Sequence, residues 1–159
     1  MLRPDFRVDN VTLLTPQVLL AQGISGLMLD LDDTLVASHS HTMPEEFRRW
    51  LESLKAADIA LLLLSNGSPK RVRYWSKELG IAGLALVGKP FGFAYQRGLR
   101  KLGKPAQQIA MVGDQLFTDI LGAKRLGIKS ILVSPLSPGG LPHTRMARRL
   151  ECMVLKGEK

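Results

Sequence analysis

Apolar residues in this chain come in short unbroken runs. Each run ends in a polar turn, and a stretch with helical periodicity follows. "GLMLDL" (26–31), "IALLLLSNG" (59–67), "GLALVGKP" (83–90), "IAMVGD" (109–114) and "SILVSP" (130–135) read as five strands. Helical patterns separate them. In "TMPEEFRRWLESLKAAD" (42–58), Thr42 is placed to cap, Glu45 follows three residues later, and Phe47, Trp50, Leu51 and Leu54 form an apolar stripe. "SPKRVRYWSKELG" (68–80) opens on Ser68 and Pro69 and closes on Gly80, the residue types that start and stop helices. "FAYQRGLRKLG" (93–103) is a helix weakened by Gly98, and "TDILGAKRLG" (118–127) is a short one.

The strands are continuously apolar rather than alternating, which is the pattern of strands covered on both faces. Strand and helix alternate, so the expected fold is α/β: a three-layer, Rossmann-like parallel sheet of about five strands. One domain is expected over 1–159, with a lead-in at 1–25 and a basic tail at 136–159 that follows a Pro/Gly-rich loop. In such folds the site lies at the carboxyl ends of the strands.

Composition narrows the setting. With 45% hydrophobic and 23% charged residues, the chain has the balance of a soluble globular protein. Its longest apolar run, Ile59–Leu64, falls far short of the roughly 20 residues of a membrane span. "MLRPDFRVDN" has no apolar core of signal-peptide length, so a cytoplasmic location is expected. The single cysteine, Cys152, fits a reducing compartment and has no histidine neighbour to make it a nucleophile. The net charge of +8 points to an anionic partner: nucleic acid, an acidic membrane surface or a phosphorylated substrate. Lysines and arginines that simply face water are the alternative.

Candidate chemistry gathers where the fold predicts it. The first strand ends in "DLDDT", the second in "SN", the third in "GKP" and the fourth in "GDQLFTD". At residue frequencies near ~5%, D-x-D-x-T turns up in about 2–3% of chains this long, and G-D-x-x-x-x-D is about as rare. Both in order, each directly after an apolar strand, is on the order of one in a thousand. Carboxylates so crowded repel one another and lose hydration unless a cation meets them.

With these residues in place, the sequence resembles the haloacid dehalogenase (HAD) superfamily of phosphohydrolases. "DLDDTLV", "LLLLSN", "GKP" and "VGDQLFTD" look like its four motifs. "LRPDFRVDNVTLLTP", "GISGLMLDLDDTLV" and "VGDQLFTDILGAKRLG" are similar to the YqeG-type phosphatases of subclass IIIA, relatives of mitochondrial phosphatidylglycerophosphate phosphatases. Two positions depart from that pattern: Asp33 and Gly67 stand where the family often has Asn.

The resemblance implies roles. Asp30 is the nucleophile that forms an aspartyl-phosphate, and Asp32 is the acid and then the base. Mg²⁺, favoured by hard oxygen ligands beside a phosphate, is held by Asp30, the Asp32 carbonyl and Asp114, with Asp119 orienting metal waters or holding Lys89. Lys89 neutralises the nucleophile and the phosphoryl oxygens, and Ser65 and the Asn66 N–H bind those oxygens. Each has a plainer alternative: a turn hydroxyl for Ser65, a solvated lysine for Lys89, a helix-start carboxylate for Asp119, and turn-shaping for Asp33 and Thr34. His39 and His41 have the spacing of a metal pair but no third ligand in the sequence, so a polar loop is expected there. Trp50 and Trp75 fall on helix stripes and belong to the core. Arg71, Arg73, Arg145, Arg148 and Arg149 are candidates for contact with lipid headgroups or a phosphate backbone, with solvated faces as the alternative.

Neither 36–57 nor 68–86 has room for a cap domain. An open site suits a bulky substrate, or an oligomer in which a neighbour serves as the lid. The expected function is therefore a Mg²⁺-dependent phosphomonoesterase that converts phosphatidylglycerophosphate to phosphatidylglycerol in peripheral contact with the inner membrane face. The alternatives are the same chemistry on nucleic-acid ends, sugar phosphates or phosphoproteins, and a non-catalytic binding protein of this fold.

Overall fold

The computed structural model describes residues 2–137. Six parallel strands form one sheet: β1 (Phe6–Val8), β2 (Gly26–Leu29), β3 (Ala60–Leu64), β4 (Ala82–Leu84), β5 (Ile109–Gly113) and β6 (Lys129–Val133). Their spatial order is β1-β6-β5-β2-β3-β4. The sixth strand comes from the segment read as a lead-in. β1 pairs with β6, Phe6 opposite Ile131, and its three residues are too few to show a period in the sequence.

Among the described residues, five α-helices cover the two faces: α1 (Pro16–Ala21), α2 (Glu45–Ala56), α3 (Pro69–Leu79), α4 (Gly92–Leu102) and α5 (Leu121–Arg125). Side chains of alternate strand residues enter opposite cores. Leu27, Leu29, Leu63, Ala110 and Val112 pack with α1, α2 and α3, while Met28, Leu62, Leu64, Ile109 and Met111 pack with α4 and α5. Both faces are thus buried, which is why the strands read as continuous apolar runs.

The apolar stripe of α2 is the buried one, Phe47, Trp50, Leu51 and Leu54, and each such side chain contributes about 1.5–3 kcal/mol on burial. Trp75 is fully buried, and the Trp50 indole N–H donates to the Leu14 carbonyl at 2.7 Å. The expected Thr42 cap is not formed. The helix starts at Glu45 after Pro44 without a side-chain cap, while the Thr42 N–H is taken by the Ser40 hydroxyl. Glu45 and Glu46 still complement the helix dipole from its first turn. α3 begins and ends as its sequence says, with Ser68 accepting from the Arg71 N–H and Gly80 left-handed at φ 61°. Gly98, which weakens α4 locally, has a packing reason. A Cβ there would lie 2.7 Å from Met28 Cε, so the glycine lets α4 sit close against β2.

The strand order reverses between β2 and β5. β3 lies on one side of β2, and β5 and β6 lie on the other. The crevice at such a reversal, beyond the carboxyl ends of the strands, is where the polar residues of β2, β3 and β5 meet.

Candidate active site

Asp30 is the first residue beyond β2, and its N–H still donates to Val112 on β5 at 2.9 Å. Asp114 is the first residue beyond β5. The two carboxylates are therefore held side by side by the register of neighbouring strands. The Thr34 hydroxyl lies between them, 3.5 Å from Asp30 Oδ2 and 3.4 Å from Asp114 Oδ1.

Asp119 arrives by a different route. It lies not in a regular first helical turn but in a single π-helical turn, Leu116–Ile120, that runs directly into α5. Its carboxyl packs on Gly113, where a Cβ would come within 2.1 Å of Asp119 Oδ2, so only glycine permits this approach. The Tyr95 hydroxyl, from α4, fastens the turn by donating to the carbonyls of Thr118 and Asp119.

Lys89 is buried between these carboxylates. Its Nζ is 2.9 Å from Asp30 Oδ1 and 2.7 Å from Asp119 Oδ1. Burial pulls its pKa down, but the charges of Asp119 and Asp30 and their hydrogen bonds outweigh that. The net shift is upward, and the ammonium stays protonated. For Asp119, burial is the largest effect and pushes the carboxyl up to about 7; Asp30 adds repulsion, while Lys89 and the Gln115 N–H oppose it. A solvated lysine and an ordinary helix-start carboxylate are both set aside by this burial.

One carboxylate oxygen from each of Asp30, Asp114 and Asp119 lies within 4.8 Å of the others, and all three residues are buried. Three hard oxygen donors converging without enough positive charge fit a small divalent cation. Each oxygen of Asp119 already accepts a protein hydrogen bond, Oδ1 from Lys89 and Oδ2 from the Gln115 N–H.

Ser65 and Asn66 follow β3. The Ser65 hydroxyl is buried and accepts from the Gly67 N–H at 2.9 Å. The Asn66 side chain does work that its sequence position did not announce. It accepts from the N–H groups of Gly88 and Lys89 and donates to the Lys89 carbonyl, so it clamps the loop that carries the lysine. At Gly67 a Cβ would stand 3.0 Å from Ser65 Oγ and 3.5 Å from Asp32 Oδ2, so a side chain there would press on the site.

On the opposite wall, Asp32 is partly exposed. Burial raises its pKa, Arg71 opposes the rise, and Asp30 and Asp33 add to it; the net shift is upward. Arg71 is the largest correction to the sequence reading. Read there as a candidate for lipid contact, it is already engaged within the protein: Nε donates to Asp32 Oδ1 at 2.8 Å, and its terminal nitrogens donate to the carbonyls of Ser40 and Ala37. Its place three residues after the Ser68 cap was the available signal. The first turn of a helix that starts at a strand end faces the site.

Asp33 sits at φ 63°, in the left-handed region that Asp and Asn tolerate better than other side chains. It accepts from the Ser38 N–H and hydroxyl and from the Ser137 hydroxyl, shaping the loop as the turn alternative had it. His39 lines the cleft. His41 stands edge-on to Tyr74 at 6.1 Å, and among the described residues neither joins a metal-binding group. Arg145, Arg148, Arg149 and Cys152 lie outside the described residues.

The cleft over these groups measures about 380 Å³ and is lined by Asp30, Asp32, Ser65, Asn66, Arg71 and Lys89, among others. Among the described residues no cap covers it: the segments 36–57 and 68–86 hold only a loop with α2 and α3 with β4.

A family model described as HAD-hydrolase-like matches residues 86–135, the part that holds Lys89, Asp114 and Asp119. The chain is 33% identical over 156 residues to "Probable phosphatase YqeG" of Bacillus subtilis, a match that covers 98% of this chain and 91% of that one. It is 32% identical over 164 residues to phosphatidylglycerophosphate phosphatase 1 of Arabidopsis thaliana, covering 96% of this chain and 47% of that longer protein. Among solved structures, it is similar to 3-deoxy-D-manno-octulosonate 8-phosphate phosphatase of Moraxella catarrhalis, described in complex with magnesium, phosphate and KDO. That match has a TM-score of 0.52 and 25% identity, and it covers 80% of this chain and 75% of that one.

Proposed function

The chain belongs to the HAD phosphatases, in the YqeG-type branch, and from that premise we propose that it is a Mg²⁺-dependent phosphomonoesterase acting through an aspartyl-phosphate on phosphatidylglycerophosphate. The observation that carries the chemistry is the buried Asp30–Lys89–Asp119 bridge beside Asp114, at the strand-order reversal.

A carboxylate oxygen of Asp30 attacks phosphorus, and the bond from phosphorus to the alcohol oxygen breaks. That oxygen takes a proton from Asp32, whose pKa burial raises and which is thereby made easier to protonate. Water then attacks the aspartyl-phosphate, gives its proton to Asp32, and releases phosphate and free Asp30. Lys89 offsets charge on the nucleophile and on the transferring group, and Ser65 with the Asn66 N–H receives the phosphoryl oxygens. Mg²⁺, held by Asp30, the Asp32 carbonyl and Asp114, supplies positive charge to those oxygens when bound. Asp119 keeps Lys89 in place.

The lipid substrate is supported by similarity to the Arabidopsis enzyme, although the chain spans only about half of that protein, and by the uncapped cleft, which leaves room for a headgroup still anchored in a bilayer. A phosphate-release panel with Mg²⁺ tests it: phosphatidylglycerophosphate, a DNA 3′-phosphate, a sugar phosphate and a phosphopeptide. The lipid should be cleaved fastest. Preference for a soluble ester would move the substrate and leave the chemistry, whereas full activity in EDTA would remove the metal.

A further inference from the structure

Three large apolar side chains stand in water around the lysine loop: Leu86 at 64% exposure, Phe91 at 62% and Phe93 at 55%. They bracket Lys89, which is 5% exposed and bonded to Asp30. The two phenyl rings stack, with centroids 6.0 Å apart and planes within 6°. Leu86 is held at φ 47°, a conformation that disfavours a bulky side chain.

The segment is tied to the site. The Leu86 N–H donates to the Gly67 carbonyl, Asn66 clamps Gly88 and Lys89, and the Phe91 N–H donates to Gly88. The adjoining helices carry exposed cations. Lys70 and Arg73 are exposed on the first turns of α3, which opens just after Gly67, and exposed Arg97 lies one turn beyond Phe93 on α4.

We infer that Leu86, Phe91 and Phe93 form an apolar rim that enters an anionic bilayer, seating the open site at headgroup level. The inference rests on the lipid reading above and names the surface that delivers the substrate. Exposed apolar tips, with exposed cations on the helices that adjoin them, match a surface that is anionic outside and apolar a few ångströms in. Self-association is a poorer fit, because a symmetric contact through this rim would bring Arg97, one helical turn from Phe93, near its own copy.

The test uses the full chain and a Leu86→Asn/Phe91→Ser double variant. Asn tolerates the left-handed backbone, and Phe93 is kept because its ring lies against Gly88. Co-sedimentation with phosphatidylglycerol/phosphatidylcholine vesicles should show binding by the natural protein that weakens with salt, and at least a tenfold loss in the variant. Hydrolysis of a soluble aryl phosphate should stay within twofold. Equal vesicle binding by the two proteins, or none by either, overturns the rim. So does a variant that changes oligomeric state with vesicle binding untouched, since a second copy then covers the surface. A short-chain phosphatidylglycerophosphate below its micelle threshold judges the substrate separately. If the natural protein cleaves the aryl phosphate but not this lipid, the substrate reading fails, whatever the vesicles show.

Discussion

Two acidic groups face each other across this cleft, and each is balanced by one cation under different conditions. On the floor, Asp30, Asp114 and Asp119 are buried, and the enclosed Lys89 ammonium spans two of them. On the opposite wall, a flap made of the 32–40 loop with the first turn of α3, Asp32 meets Arg71 with the Asp32 side chain 36% exposed, and the same guanidinium holds the carbonyls of Ser40 and Ala37. A buried pair that loses one partner leaves an uncompensated charge, at about 3–5 kcal/mol, whereas pairs that water can reach contribute roughly 0–1 kcal/mol. The floor therefore couples chemistry to stability. The flap sets where the acid stands and affects stability little.

The largest effect expected is on the floor and is purely chemical. Asp30→Asn removes the nucleophile, and turnover should fall at least on the order of 10³-fold. The amide can still accept from Lys89, and the buried cluster loses a negative charge, so melting should be unharmed. Measurable activity above a few per cent in pure protein would reassign the nucleophile. Lys89→Met comes next and should do both kinds of damage. With Asp30 and Asp119 left facing each other, turnover should fall by about 10²–10³ and stability by about 3–5 kcal/mol in urea denaturation. Added Mg²⁺ should restore part of that stability; no response to the ion would mean that the floor does not bind it.

Arg71→Gln sharpens the contrast from the other side. Asp32 keeps its chemistry but loses its tether, so kcat should drop about tenfold while stability changes by less than about 1 kcal/mol. An unfolding cost as large as that of Lys89→Met would erase the distinction between floor and flap.

This contrast also marks what the sequence could express. Asp30 and Asp114 were legible because each directly follows a strand, and strand ends are fixed by the apolar runs before them; Lys89, five residues beyond β4, was legible through the "GKP" motif of the resemblance. Four strands were legible as continuous apolar runs and the stripe of α2 through its period. β4, as short as β1 and at the other edge, was legible only because the apolar run 83–87 continues past its end at Leu84, whereas β1, "FRV", has no such run around it. The jobs of Arg71, Tyr95 and the Asn66 amide were not legible either. Their partners lie 39, 24 and 23 residues away, at Asp32, Asp119 and Lys89, and contacts across elements leave no trace in spacing. Asp119 was placed near the site, but its π-helical turn depends on Gly113 and Tyr95 together.

The smallest effect expected is a pH dependence, and it separates floor from flap by its source. A carboxyl whose pKa rises on folding is protonated in both states at low pH. As pH climbs past its unfolded value, the unfolded chain gives up the proton and the folded one keeps it, so stability falls until the folded pKa is passed. Asp119, raised from 3.8 to about 7, places that window at about pH 4–7, and Asp32, also raised, acts in the same direction. Lys89 is raised from 10.5 and stays charged throughout, so it adds no slope there. Asp5, whose pKa is lowered by Lys124 and Ser130 against its burial, acts only below pH 4. In EDTA the melting temperature should therefore drop by several degrees between pH 5 and pH 8, at about 2–4 °C per kcal/mol. Saturating Mg²⁺ favours the ionised carboxylates and should flatten the slope. Asp119→Asn should remove most of the slope, whereas Asp32→Asn should leave most of it. A flat melting temperature in chelator would mean that Lys89 alone balances the floor, and the difference between the two walls would then be one of geometry rather than of charge.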